Sequence, residues 1–252
     1  MRSSRAKLMK ICAVVAGLVV AVALPARAQA PEPHKFFVGV NAGAQVHSHT
    51  LSTSDSFTVY DETATVTSSA NIKGGFLFDV SGGYRIIPRF PRFGVSVGLS
   101  RTSSTGDGSV VATIPNPILF DSSRAVNIAL DSLDHSEVAV NISAVLFMPV
   151  PDFLPDNALI TFSVGPSIFT LKQELVTTVA IPAGTQDAVP QVGSESKTAV
   201  GFHAGFDCTF PVTQMAGIGG FVRYSGGTVD LPSASDVKVG GFQAGAGLRL
   251  GF

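Results

Sequence analysis

The last sixteen residues of the chain, Val237 to Phe252, alternate between two kinds of side chain at every second position. One set is apolar and consists of Phe242, Ala244, Ala246, Leu248, Leu250 and Phe252. The positions that alternate with it, from 241 to 251, hold only Gly, Gln and Arg. A period of two places the two sets on opposite faces of one β-strand. The stretch therefore predicts a strand with one apolar face and one small, polar face.

The amino terminus has the three parts of a secretory signal peptide. Basic residues between Arg2 and Lys10 precede an apolar run, Ile11–Leu24, and the small-residue site Ala26-Arg27-Ala28 follows. The run is shorter than the ~20 residues that a spanning helix needs. We therefore expect residues 1–28 to be removed after Ala28 and residues 29–252 to form one domain.

Alternation like that of the last stretch recurs seven more times, between Phe36 and Tyr224, so the sequence predicts eight strands. Short proline-bearing connections alternate with long segments rich in Ser, Thr, Asp and Gly. The short ones are Ile87–Arg92, Met148–Asn157 and Phe210–Gln214, and the long ones are roughly His49–Ala70, Arg101–Asp134, Ala180–Ser196 and Thr228–Asp236. This asymmetry is typical of membrane barrels, whose short turns are periplasmic and whose long loops are extracellular. Alternation within the two longest segments leaves a ten-strand count open.

Two local assignments follow from the same pattern. The apolar phase of strand five changes between Ile168 and Phe169, just after Pro166, and this predicts a β-bulge there. On strand two, Ile72 is assigned to the same outward face as Phe76.

The composition of the polar faces decides which way the barrel is turned. A water-facing surface is rich in Lys and Glu, whereas these faces consist mainly of Gly, Ser, Thr and Asn. Charged residues make up 14% of the chain, against about 25% in ordinary soluble domains. The apolar faces are therefore expected to contact lipid. The predicted fold is all-β: an eight-stranded antiparallel up-and-down transmembrane β-barrel.

With its signal peptide, strand rhythm, turn asymmetry and terminal Phe252, the chain resembles the small OmpA/OmpX-like β-barrels of bacterial outer membranes. Gly247, Leu250 and Phe252 match the assembly signal of such barrels. The resemblance implies a location in the outer membrane, contact with its lipid and lipopolysaccharide, and insertion by the barrel-assembly machinery. The chain departs from the pattern in having no tryptophan, so an aromatic girdle must rely on phenylalanine.

The remaining composition argues against several partners. Five of the 17 basic residues and none of the 18 acidic ones lie in the leader, so the mature chain has no basic surplus and no nucleic-acid partner is expected. Cys208 is the one cysteine outside the leader. It cannot form an intramolecular disulfide and is expected to face lipid. No cofactor is predicted, and the sequence identifies no extracellular ligand.

Two clusters contain side chains that are capable of metal binding or catalysis. His47 and His49 share a strand face, but two ligands do not make a metal site, so no metal is predicted. Asp131, Asp134, His135 and Ser136 lie together near the outer end of strand four. They could supply a serine–histidine–acid set such as some lipid A-modifying barrels use. They form no diagnostic motif, and no catalytic residue is predicted.

Seven polar-face residues are predicted to form a luminal charge network: Asp79, Arg85, Glu137, His203, Asp207, Arg223 and Arg249. Counting from the periplasmic end places Arg85, Asp207 and Arg249 at a low level, and Asp79, His203 and Arg223 at a middle level. Unpaired charges in a narrow lumen are costly, so these groups are expected to pair. The favoured hypothesis is a largely plugged barrel that acts structurally or through its long loops. The alternatives are a narrow passive pore for small solutes and a lipid A-modifying enzyme.

Overall fold

The computed structural model describes residues 35–46, 49–87, 92–148, 150, 155 and 158–251. The predicted signal peptide and Phe252 lie outside this part. The described residues form ten strands: β1 Phe36–Val46, β2 His49–Val59, β3 Glu62–Ile72, β4 Gly75–Ile87, β5 Arg92–Pro115, β6 Ser123–Met148, β7 Leu159–Ala180, β8 Val189–Pro211, β9 Ala216–Val229 and β10 Val237–Gly251.

Eight of these strands close into a ring. Its order is β5-β4-β1-β10-β9-β8-β7-β6, and β6 pairs back with β5. Every pairing is antiparallel, and β1 joins β10 from Phe37↔Gly251 to Val46↔Phe242. Chain neighbours are ring neighbours except where the β2–β3 hairpin intervenes, so the eight-stranded up-and-down barrel is confirmed.

The β2–β3 hairpin lies outside the ring. β3 pairs with the upper part of β5, from Thr65↔Thr113 to Ile72↔Gly106. The sheet therefore has ten strands although eight enclose the lumen. Ile72 is buried, and its assignment to the outward face is wrong. β3 ends at Ile72 and β4 begins at Gly75, so the alternation of one strand does not continue into the other.

The ring presents its apolar face outward, as predicted. Val97, Phe206 and Leu248 are more than half exposed, whereas Ser167 and Gln243 on the inner face are buried. Further exposed apolar side chains of the outer face are Phe36, Val40, Phe76, Phe78, Val80, Tyr84, Val95, Leu99, Ile142, Val164, Ile168, Phe202, Val222, Tyr224 and Phe242. Phe36 packs on Tyr84 with ring centroids 5.0 Å apart. Cys208 is half-buried at an alternate position of β8 between Phe206 and Phe210.

Most of the segments predicted as long loops are strands that continue beyond the ring. We call this upper part the head. Two apolar clusters lie inside it. The mouth cluster consists of Leu51, Ala70, Ile72, Leu133, Ala139, Phe169, Leu171, Leu175, Val229, Leu231, Ala234, Val237 and Val239. The head cluster consists of Val66, Val110, Ala112 and Ile114, with eight half-buried neighbours that include Phe57 and Val126. The head therefore has an interior of its own.

The bulge predicted at Pro166 is wrong. β6 and β7 keep one register across this region, with Asn141↔Ser167 and Ala144↔Val164. Phe169 and Leu171 are buried and point inward with Ser167. The apparent change of phase is a change of environment, because the inner face of β7 turns from polar to apolar at this level while its parity is unchanged.

Candidate functional site: a hydrogen-bonded chain through the lumen

The lower end of the lumen is occupied by one ion pair and its neighbours. Arg249 of β10 donates from Nε to Oδ2 of Asp207 on β8 at 3.1 Å, and its Nη2 contacts the same carboxylate. Asp207 also accepts from Thr209 Oγ1 at 2.9 Å. Arg249 Nη1 donates to Asn41 Oδ1 on β1. One arginine therefore ties three strands together.

The middle of the lumen repeats this arrangement one level higher. Asn41 Nδ2 donates to Asp79 Oδ1 at 2.8 Å, and both terminal nitrogens of Arg223 donate to Asp79 Oδ2 at 3.1 Å. Arg223 Nε donates to Gln243 Oε1 at 2.7 Å. Both members of the ion pair are almost fully buried, with side chains 11% and 4% exposed. Such a pair is stable only when hydrogen bonds satisfy its remaining polar atoms, as Asn41 and Gln243 do here.

At the upper level, hydrogen bonds connect Gln243 through the side-chain amide of Gln45 to the carboxylate of Glu137. Gln243 Nε2 donates to Gln45 Oε1 at 2.6 Å, and Gln45 Nε2 donates to Glu137 Oε2 at 2.9 Å. Glu137 Oε1 lies 3.0 Å from His135 Nε2, and Gln173 Oε1 contacts His135 Nδ1. The chain of contacts thus runs without a break from Asp207 to Gln173.

Gly240 holds the upper level in place with its backbone. Its N–H donates to Glu137 Oε2 and its carbonyl accepts from Gln45 Nε2, both at 2.9 Å. Its φ of 86° lies in the left-handed region, and a Cβ would lie 2.4 Å from the Ser225 carbonyl oxygen. Glycine is therefore required for this double contact.

His203 belongs to a separate branch. Its ring nitrogens each lie 2.8 Å from a serine hydroxyl, Ser143 Oγ at Nε2 and Ser167 Oγ at Nδ1. Ser167 Oγ also lies 2.7 Å from Asn141 Oδ1. The sequence placed His203 at one level with Asp79 and Arg223, but its hydrogen bonds are to neutral groups on β6 and β7.

Arg85 also departs from the sequence expectation. Its guanidinium lies 4.2 Å from the centre of the Phe147 ring, and Phe147 packs edge-on against Phe37 at 5.8 Å. Arg85 Nε has no hydrogen-bond partner, and no ion pair of Arg85 occurs among the described residues. Asp207 is engaged by Arg249 instead. Arg85 therefore lies at the lower end of the lumen as part of a cation–aromatic stack.

The remaining candidate residues do not assemble into a site. Asp131 and Asp134 are exposed, whereas His135 points into the lumen, so the proposed serine–histidine–acid cluster is split between two faces of β6. Ser136 lies beside them on the outer face, half-buried. No group of three metal-ligating side chains occurs among the described residues. His47 lies outside the described residues, as does the side chain of His49.

The proposed assembly signal is described only in part. Gly247 lies on the inner face, where a Cβ would meet Asn41 Oδ1 at 2.7 Å, and Leu250 is 39% exposed on the outer face. Phe252 lies outside the described residues. The signal therefore stays a prediction from the resemblance.

The charges of the network were visible in the sequence, but its linking amides were not recognised. Asn41, Gln45 and Gln243 join one charged level to the next, and Gln173 ends the chain. All four occupy inward positions of their strands. A polar amide at such a position signals an internal hydrogen bond, because a buried amide has both donors and acceptors to satisfy.

Within the described ranges, no α-helix combines the length and the hydrophobicity needed to cross a membrane.

Comparison with known proteins gives weak matches only. No protein-family model and no curated protein matches the sequence. Among solved structures, the chain is similar to Neisserial surface protein A (16% identity, TM-score 0.45, 86% of this chain and 97% of the other). It is also similar to the outer membrane protein OprG of Pseudomonas aeruginosa, with 8% identity and a TM-score of 0.46 over 89% of this chain and 99% of the other. A third match is Ail, the attachment invasion locus protein of Yersinia pestis, solved with the heparin analogue sucrose octasulfate. The identity is 16% and the TM-score 0.38, over 86% of this chain and 99% of the other.

The class of the protein follows from its own exterior. The ring leaves no strand edge between its members, so the backbone groups of the spanning strands are satisfied within the sheet. Its outer face is a continuous band of apolar side chains, and the charged side chains of the spanning strands point inward. A water-soluble barrel has the opposite distribution. The chain is a small eight-stranded β-barrel of the bacterial outer-membrane type, with a hydrogen-bonded polar interior and a folded head beyond the ring.

Proposed function

We propose that the barrel is closed to solutes and acts at the cell surface through its head. The observation that carries the proposal is the construction of the head itself. Three hairpins, β2–β3, β5–β6 and β7–β8, enclose the head cluster above the lipid-facing band. A protein whose extracellular segments only joined strands would need no such interior. We therefore assign the binding of partners to the head.

The tips of the three hairpins are tied to one another. Tyr60 at the β2–β3 turn donates from its hydroxyl to the Thr185 carbonyl of the β7–β8 loop at 2.9 Å. Gln186 of the same loop donates to the Ile114 carbonyl of β5 at 3.1 Å. These bonds hold the tips in one arrangement, and a preorganised surface loses less conformational entropy when it binds.

The filling of the lumen supports the closed state. The chain of contacts from Asp207 to Gln173 crosses the interior, and the mouth cluster lies at its upper end. Arg85 and Phe147 occupy the lower end. An eight-stranded barrel is only just wide enough for its own side chains. Passage of a solute would require several buried hydrogen bonds to break together.

Planar-bilayer conductance of the purified protein tests the closed state. The wild type is expected to show no long-lived openings. Asp207→Ala removes the partner of Arg249, in the more solvent-exposed of the two luminal ion pairs, and is expected to produce small, brief openings. Frequent, long openings of the wild type would contradict the proposal and favour the narrow pore.

A variant without the β2–β3 hairpin and the upper part of the β5–β6 hairpin tests the role of the head. Residues 49–72 and 105–133 are replaced by short turns, and cells displaying this variant are compared with cells displaying the wild type for binding to host cells. Insertion of both proteins is checked by heat-modifiable migration on gels. Equal adhesion by two correctly inserted proteins would contradict a surface function.

A further inference from the structure

The tip of the β5–β6 hairpin exposes three consecutive apolar residues. Ile118, Leu119 and Phe120 are 89%, 60% and 76% exposed. We call these three residues the apolar tip. Single exposed apolar residues are common on protein surfaces, but three in succession form a patch that indicates an interaction site.

The fold itself holds the apolar tip in this exposed position. Asn116 Oδ1 accepts from the backbone N–H groups of Ile118 and Leu119, at 2.9 and 3.0 Å. Asn116 N donates to the Ser122 carbonyl at 2.7 Å, which closes the base of the loop. Asp121 N donates to Glu62 of the neighbouring hairpin at 3.2 Å. The loop is thus fastened on both sides while its three apolar side chains are left outside.

The apolar tip lies far from the lipid around its own barrel. On β5 the outward residues change from apolar to polar at Arg101, which follows Leu99. Fourteen further positions separate Arg101 from Pro115, which corresponds to roughly 46 Å along a strand at about 3.3 Å per residue. Neither the mouth cluster nor the head cluster includes a residue of the apolar tip. Neither the protein's own membrane nor its own interior covers these side chains.

The exposure of the apolar tip favours a fluid partner over a flat one. The three residues follow one another in a bend, and each remains more than half exposed. A planar protein surface would cover only part of them. Insertion into the interfacial region of a bilayer would cover all three, as for other peripheral apolar anchors.

The surrounding charges indicate which bilayer is suitable. Asp61 and Glu62 lie at the neighbouring β2–β3 turn and Asp121 directly follows the tip, while Arg124 is the basic residue that the described part of the β5–β6 turn and its flanks contains. This acidic collar would be repelled by anionic lipids and by anionic polysaccharides. We propose that the apolar tip inserts into the outer leaflet of a neutral, phosphatidylcholine-rich bilayer on an apposed cell. The proposal rests on the surface function of the head and names its partner.

Fluorescence provides a direct test, because the chain has no tryptophan. Phe120→Trp therefore introduces a single reporter at the tip. The full-length protein, folded and held in amphipol, is mixed with phosphatidylcholine vesicles. We expect a blue shift of the emission and quenching by lipids brominated on their acyl chains. No shift and no quenching would overturn the proposal.

Three comparisons make the test specific. Adding Ile118→Ser and Leu119→Ser to the reporter should weaken vesicle binding about tenfold or more, because two apolar side chains are removed from the inserted surface. Adding Val192→Ser, at a residue 46% exposed elsewhere in the head, should leave binding unchanged. Replacing a third of the lipid with phosphatidylserine should weaken binding. Equal binding by the double serine variant, or stronger binding to the anionic vesicles, would overturn the proposal.

The outcome is separable from that of the adhesion experiment. If the tip fails to bind vesicles but adhesion still requires the head, the partner is wrong and the surface function stands. If the tip inserts but cells displaying the variant that lacks residues 49–72 and 105–133 adhere equally well, the surface function is wrong.

Discussion

The barrel and the head are built from the same strands but have opposite interiors. On β7 the inward residues are Ser163 and Ser167 in the lower part, and mainly apolar higher up, where Phe169, Leu171 and Leu175 are joined by the single polar residue Gln173. The outward residues change in the reverse sense, from apolar Val164 and Ile168 to Thr170 and Lys172. The alternation of positions is continuous through this change. The solvent outside the wall, lipid below and water above, decides which chemistry faces inward.

The two regions also use charge differently. In the barrel, Asp79 and Arg223 pair where both are almost fully buried, and their further hydrogen bonds are made to the neutral amides of Asn41 and Gln243. In the head, Lys73 and Asp107 pair at 2.6 Å with both side chains more than 60% exposed. A buried pair cannot lose one member without leaving an uncompensated charge, whereas an exposed pair is replaced by water. The buried ion pair is therefore predicted to contribute more to stability than the exposed one.

The sharpest test of the inverted exterior uses thiol labelling. Cys208 and Thr198 have the same parity on β8, one within the apolar band and one above it. A water-soluble maleimide should label Cys208 hardly at all in membranes. It should label Thr198→Cys rapidly in a Cys208→Ser background, because residue 198 is in contact with water. Similar labelling rates at both positions would mean that the membrane boundary on β8 is misplaced.

The next effect concerns the buried ion pair. Asp79→Ala should lower the free energy of unfolding by about 3–5 kcal/mol, since Arg223 would remain buried without its partner. The matched change in the head, Asp107→Ala, should cost less than about 1 kcal/mol. Urea unfolding of both variants in lipid vesicles measures the difference. Losses of similar size would remove the energetic distinction between the two regions.

The smallest expected effect on the free energy of unfolding comes from replacing apolar residues on the two sides of the barrel wall. Leu171→Ala in the mouth cluster should cost about 2–3 kcal/mol, at the lower end for buried leucines because the adjoining loops can partly fill the gap. Leu248→Ala on the lipid-facing side should cost clearly less, because lipid replaces the lost side chain without leaving a cavity. The same unfolding assay applies. A larger loss for Leu248→Ala would show that the mouth cluster contributes little to stability.

Part of the site could be predicted from the sequence. Arg223, Asp79, Arg249 and Asp207 could be assigned to the lumen because a period of two fixes which side chains share a face. Counting levels also grouped Asp207 with Arg249 and Asp79 with Arg223, and these residues form the two ion pairs. The partner of each residue within a level could not be chosen, because pairing across strands depends on register and on side-chain length. Arg85 shows this clearly: it was expected beside Asp207 and instead lies over Phe147.

The sequence by itself determined the strand period, the eight-stranded wall and its outward apolar face, since these depend on local alternation and on composition. Only the tertiary structure decided what alternation cannot encode. It showed that Phe169 and Leu171 keep their parity while their surroundings change, so that a bulge was inferred where none exists. It placed the β2–β3 hairpin on β5, and it joined Gln45, Glu137 and Gly240 into one contact. These features arise from contacts between distant parts of the chain, and a local period carries no information about them.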